Sequence, residues 1–473
     1  MTAIGASPAG FGTGGLSGAT TTVDAGAKPP PAPGSCGMSA DRVRITEVDV
    51  GSTVLNGDTD QTFFMLAISP VPSGGSRLAW LSGDDKIHIA QLDAGDQPVG
   101  TPFTLPGHDF SDIYADDKGG VILATRDAQG GGTLNCGNIN NLCGNSASYP
   151  TTYACYDMYM VRFDGSAETW ATKLTDSSST RPPYGTSPME TNRTTFIWSW
   201  YGHHGRIAYD GSRWAGYYGS SLSGSSQSLT GANCAQSDST LMVGIDIHQG
   251  DQMRVLDASG AIQMGGFDWG CSHSYYERIT YDATAKQFVE ICETDASNQL
   301  MFAPPAFTGG KVIYAIDMQR EIENYSDIGN LVVGAQGGYW TTVSKTRAGA
   351  AGMADVHLLH FTTGAPDKDV IISNDAMLNC RSNHLAKYGS SRLLAAWETA
   401  SAANDFSAFT TGKKFYVETY SAATGEAEGA PFQVDVNGNR YYEFRDYPDG
   451  SVAYPTAGST NTKIKIMRVL PCN

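Results

Sequence analysis

Histidine is scarce here, nine residues in 473, yet it recurs inside one phrase. The copies read His203-His204-Gly-Arg206-Ile-Ala-Tyr209-Asp210, then His273-Ser-Tyr275-Tyr276-Glu-Arg278-Ile-Thr-Tyr281-Asp282, then Asn383-His384-Leu-Ala-Lys387-Tyr388. An imidazole titrates near neutrality, so each copy could move a proton, hold a metal or grip a ligand. The first copy is the richest. Arg206 could neutralise a carboxylate, His204 could take the neighbouring proton and Tyr209 could protonate a leaving oxygen, which is what elimination from an acidic sugar requires. His203, His204, Tyr217, Tyr218, His273, Tyr275 and His384 form the wider set of candidate ligand contacts. The competing expectation is structural, with each His hydrogen-bonded inside its own repeat.

Each copy runs into a strand-like segment: Arg213 to Tyr218, Gln287 to Ile291, and Arg392 to Trp397. Recurrence every ~50 to 110 residues, with two strands per copy, marks an array whose units cannot bury their own apolar faces. Hairpin signals fill the remainder, as where Leu78 to Leu81 and Ile87 to Leu92 flank a Gly-Asp-Asp turn. Units open near Phe63, Phe110, His204, His273, Ile328, His384 and Tyr442, which predicts an all-β propeller of about seven blades, each of ~60 residues. Inner-strand entry points in such a ring converge on a central channel, where the histidines could meet. Two stacked β-sandwiches are the alternative, because short, evenly spaced strands serve both architectures. The last unit has room for only three strands, so residues 42 to 50 are expected to pair with Ile464 to Val469 and close the ring.

The formal charge of −17 excludes a nucleic-acid partner, since no Lys/Arg cluster could displace counterions from a polyanion. Neither a membrane-spanning run nor a secretory leader is visible. The nine cysteines point instead to an oxidising setting. Cys36 precedes the first strand and Cys472 is penultimate, which makes a Cys36–Cys472 staple natural across a closed ring. Cys136, Cys143 and Cys155 share an Asn/Gly-rich insertion that suits a local bridge. Cys234, Cys271, Cys292 and Cys380 remain, and the odd total leaves a thiol free. Asp435, Asn437, Asn439 and Glu443 alternate oxygen donors in the manner of a calcium loop, the one cofactor the chain suggests, although a plain Asn-Gly hairpin accounts for the same residues. Walker, Gly-x-Ser-x-Gly, His-Glu-x-x-His and Cys-x-x-Cys signatures are absent.

Residues 1 to 40 stand apart from the propeller, 41 to 473, as an extended Gly/Pro-rich arm whose run Lys28 to Gly34 is a stiff spacer. Its opening, Ile4-Gly5-Ala6-Ser7-Pro8-Ala9-Gly10-Phe11-Gly12-Thr13-Gly14, resembles the Gly-Ser-Pro-x-Gly-x-Gly-Thr starts of some phage tail and baseplate proteins and of contractile injection systems. That resemblance implies docking onto subunits of a larger bacterial assembly, with Pro8 and Phe11 as anchors. The His/Arg/Tyr set also looks like the chemistry of propeller-type polysaccharide lyases. The expected function is a non-enzymatic, particle-associated or extracellular module presenting a propeller to a surface glycan or protein. The alternative is a secreted lyase for a uronate polymer, acting through His204, Arg206 and Tyr209.

Overall fold

The structure is a computed structural model that describes residues 36–54, 66–84, 86–127, 133–135, 152–154, 156–174, 203–220, 251–265, 277–294, 299–303, 311–315, 327–350, 353–373, 375, 377–401 and 412–472. Pro8, Phe11, His273, Tyr275, Cys136, Cys143, Cys155, Cys234 and Cys271 lie outside them. The described strands form seven four-stranded antiparallel sheets and one short hairpin, Thr133–Asn135 with Thr152–Ala154.

Six sheets are built from four strands consecutive in the chain, the hairpin in the second aside, and blades are numbered here in chain order. Their first strands are Leu66–Pro70, Asp109–Ala115, His203–Tyr209, Glu277–Asp282, Val332–Val333, Asn379–Tyr388 and Arg445–Asp446. Each touches the first strand of the next blade, and Arg445–Asp446 touches Leu66–Pro70, so the first strands are innermost and the ring is closed. The protein is a seven-bladed β-propeller, not a pair of sandwiches.

Burial follows from this geometry. Second strands are covered on both sides by neighbouring blades and carry few solvent-facing positions: Ser76–Ser82 is buried throughout and Arg392–Ala400 nearly so. Outermost strands are half wet, and Pro98–Pro106 carries three prolines that leave its free edge a poor template for pairing. In blades 2, 3 and 4 the inner and second strands are joined by Asp-led turns. Asp116, Asp210 and Asp282 each accept backbone N–H groups two and three residues on. The Tyr-Asp ending of the repeated phrase is this turn. In blade 1 the corresponding turn needs Gly75, at φ +75°, where a Cβ would lie 2.1 Å from the Leu92 carbonyl oxygen.

Closure runs as expected. Val43–Asp49 pairs antiparallel with Lys463–Val469, from Val43 opposite Val469 to Asp49 opposite Lys463, and completes the three-stranded blade 7. Cys36 and Cys472 are disulfide-bonded, with Cα atoms 5.9 Å apart. Cys292 is also disulfide-bonded, and Cys380 is a buried free thiol.

Candidate functional site

The first two copies of the repeated phrase place their arginines in a buried cluster among the inner strands. Arg206 and Arg278 occupy equivalent positions on the inner strands of blades 3 and 4, and each donates through Nη1 to the carbonyl of the preceding residue. Both converge on Glu443, which enters from blade 7: Arg206 Nε lies 2.5 Å from Oε1, Arg278 Nε lies 3.4 Å from it, and Arg445 Nη2 lies 3.0 Å from Oε2. Arg445 also pairs with Asp112 of blade 2. Beside them, Asp327 of blade 5 accepts from Arg381 of blade 6 at 2.8 Å, with Arg440 at 3.4 Å. Burial alone would raise both carboxyls. The guanidiniums outweigh it, Arg445, Arg206 and Arg278 for Glu443 and Arg381 and Arg440 for Asp327, and hold each at about 2. Segment 439–445 is thereby a hub tied to blades 2 through 5.

This placement decides several expectations. Arg206 is 2% exposed, and its Nη2 donates to the Tyr441 carbonyl, so it offers no face to a uronate carboxylate. His384 is 1% exposed, stacked on Phe444 (centroids 5.1 Å apart, planes at 10°) and against Tyr454 at 4.9 Å. Burial, assisted by Arg278, pushes its imidazole down to about 3, which makes it a neutral core ring at physiological pH. In the calcium-like run, Glu443 is held by guanidiniums, which repel a cation, and Asn439 Oδ1 accepts the Tyr441 N–H in a local turn. Among the described residues no group of three His, Cys, Asp or Glu side chains forms a metal cage. His203 and His204 begin the inner strand of blade 3, opposite Ser220 and Gly219, with Arg206 opposite Tyr217 and Gly205 opposite Tyr218. These residues belong to the end of the channel away from the Asp-led turns, whereas Tyr209 ends its strand on the turn side. The proposed lyase set is therefore split along one strand.

On the turn side a cavity of about 580 Å³ opens at the channel mouth, where the inner strands of blades 1, 2, 6 and 7 end. Pro70, Tyr114, Lys387 and Asp446 come from those four strands and Pro72 and Tyr447 from the turns beyond them. Tyr447 is spoken for, its hydroxyl 2.8 Å from Ser76 Oγ and its ring under Arg468 at 4.0 Å. The others are not. Lys387 and Asp446 are exposed to the cavity, Tyr114 is half-buried, and among the described residues no side chain hydrogen-bonds or ion-pairs with Lys387 Nζ or the Tyr114 hydroxyl. Enclosure by the funnel raises the Asp446 carboxyl above its usual range, its own backbone N–H, Lys387 and Arg445 acting against this. Burial, then the charge of Asp446, raises the Tyr114 phenol, which therefore stays protonated and can donate as well as accept. A carboxylate, an ammonium, a phenol and proline faces converge on one concave surface, which is the composition of a polar-ligand site. Sequence reasoning missed it. Its only local trace is that Lys387 stands in the third copy of the phrase just where the strand ends.

No family model matches the chain, and no curated protein does. Among solved structures, the BP39L lectin from Burkholderia pseudomallei is similar over 86% of this chain and 96% of its own, with 9% identity and a TM-score of 0.47. An α-L-arabinanase from Penicillium chrysogenum, complexed with arabinobiose, is similar over 90% and 98%, with 9% identity and a TM-score of 0.42. The Dos1 propeller is similar over 84% and 76%, with 10% identity and a TM-score of 0.41. The closed ring of seven sheets, rather than these likenesses, carries the assignment to the propeller fold.

Proposed function

We propose that the protein is a non-enzymatic recognition module of the extracellular space that binds a glycan in the channel-mouth cavity. The observation that carries this is the set of Lys387, Asp446 and Tyr114, polar groups from three blades on one open cavity, where among the described residues no side chain hydrogen-bonds with the Lys387 ammonium or the Tyr114 hydroxyl. A cavity-facing carboxylate can accept two adjacent hydroxyls, the ammonium and phenol supply donors, and an aromatic face packs against sugar C–H bonds. Burying Arg206 between Glu443 and the Tyr441 carbonyl argues against the lyase reading, which needs that cation free. Disulfides persist where the environment is oxidising, which supports an extracellular setting. Residues 1–40 we assign to tethering on a larger assembly, with Phe11 and Pro8 as anchors. Cys36, near the end of that segment, lies beside Tyr388.

The test is a glycan array probed with the whole protein and with Asp446→Asn. The protein should bind at least one neutral glycan, and the variant should lose about tenfold or more of that affinity, as expected for hydrogen bonds to a charged acceptor. A blank array, or a variant that binds as well as wild type, overturns the reading. Incubation with alginate, pectin and ulvan tests the other function class: unsaturated uronate absorbance that His204→Ala abolishes would mean a lyase.

A further inference from the structure

We propose that the ligand is an extended neutral oligosaccharide, and that Tyr209 of blade 3 forms a second subsite next to the cavity; this rests on the glycan reading above. Tyr114, in the cavity wall, and Tyr209 stand at the same strand end in adjacent blades, and their ring centroids lie 5.5 Å apart at 55°. That step is comparable to the span of one sugar ring. Tyr209 is half-buried, and among the described residues its hydroxyl, like that of Tyr114, has no hydrogen-bond partner. Its ring is held from behind. Trp214 stacks under it at 4.9 Å and 24°, Trp170 meets Trp214 edge-on at 6.0 Å, and the Arg162 guanidinium lies 5.5 Å from Trp214 while pairing with Asp116 and Asp164. A braced aromatic ring with an open hydroxyl loses little entropy on binding, which suits a stacking platform.

Two observations point to a chain and to its charge. A cavity of about 580 Å³ is larger than one sugar ring fills, and the aromatic surface continues past its edge toward blade 3. Among the described residues Asp446 and Asp449 line the cavity against one cation, Lys387, on a molecule of net charge −17, so a polyuronate would be repelled.

The experiment is calorimetric titration with cello-, xylo-, manno-, laminari- and chito-oligosaccharide ladders from one to six units. Wild type should gain about three- to tenfold in affinity on lengthening the preferred sugar past the first unit, the worth of one aromatic stack. Tyr209→Ala should erase that gain and leave the shortest ligand's affinity unchanged, whereas Tyr209→Phe should keep most of it. Asp446→Asn should weaken every length alike. The phenylalanine variant retains the stack on Trp214 and so guards against a folding artefact. Binding that is sensitive to Asp446 but independent of chain length, or equal gains in wild type and Tyr209→Ala, would overturn the second subsite while sparing the glycan reading. Failure of every ladder to bind would overturn both.

Discussion

Replacing Glu443 by Gln keeps the side chain's shape and removes the charge shared by Arg206, Arg278 and Arg445. Arg445 retains Asp112, but Arg206 and Arg278 then lose the carboxylate they share in the core, with Glu277 lying 4.0 Å from Arg206. The magnitude follows from two routes. Holding the carboxyl at about 2 against an ordinary 4.5 is worth ~3 kcal/mol at neutral pH, and removing one partner of a buried ion pair costs about 3–5 kcal/mol. The direction with pH is fixed by the same quantities. The folded-state value lies below the unfolded one, so the stabilisation is complete above pH 4.5 and disappears as pH falls toward about 2. Urea melts followed by tryptophan fluorescence at neutral pH should place Glu443→Gln ~3 kcal/mol below wild type at unchanged m-value. The gap should narrow steadily below pH 4.5. A cost under ~1 kcal/mol, or a gap that does not change with pH, would show that Glu443 is not what neutralises the axial arginines.

Two further outcomes follow from the same structure. Reducing the Cys36–Cys472 bond, which spans a sequence separation of 436, should lower stability by several kcal/mol, ~6 being the chain-entropy ceiling. It should also speed amide exchange first in Val43–Asp49; equal melting points with and without reductant would deny the staple a role in closure. His384→Phe keeps the packing but leaves the Tyr442 backbone without its imidazole partner and should cost about 1–3 kcal/mol at pH 7, and His384→Ala should cost about 3–5 kcal/mol or more, since the ring is a packed core element. Because its folded-state value is depressed to about 3 from 6.5, wild type should lose stability as pH falls from 6.5 toward 3, and the Phe variant should lose less. Parallel acid titrations of the two would refute this.

Blade count, all-β character and ring closure were legible in the chain because hairpin turns are local events. Asp116, Asp210 and Asp282 close their turns within three residues, so an Asp marks the end of the inner strand in blades 2, 3 and 4. The spare strand Val43–Asp49 and the terminal cysteines could be matched to a last unit one strand short. What each repeated side chain does was not local. Arg206 and Glu443 are 237 residues apart, and Arg445 and Asp112 are 333 apart, and only the closed ring makes them neighbours. Once they pair, Arg206 is consumed and the calcium-like run loses its last ligand. His384 is a rare titratable residue, yet its charge state is set by burial among Phe444 and Tyr454, aromatic neighbours from blade 7, and by Arg278. The cavity is the extreme case: Tyr114, Lys387 and Asp446 share no stretch of sequence, and their meeting is decided by which strand ends the ring brings to one mouth. A period can be read from a chain because it repeats along it, whereas a site assembled across blades exists only after the ends have met.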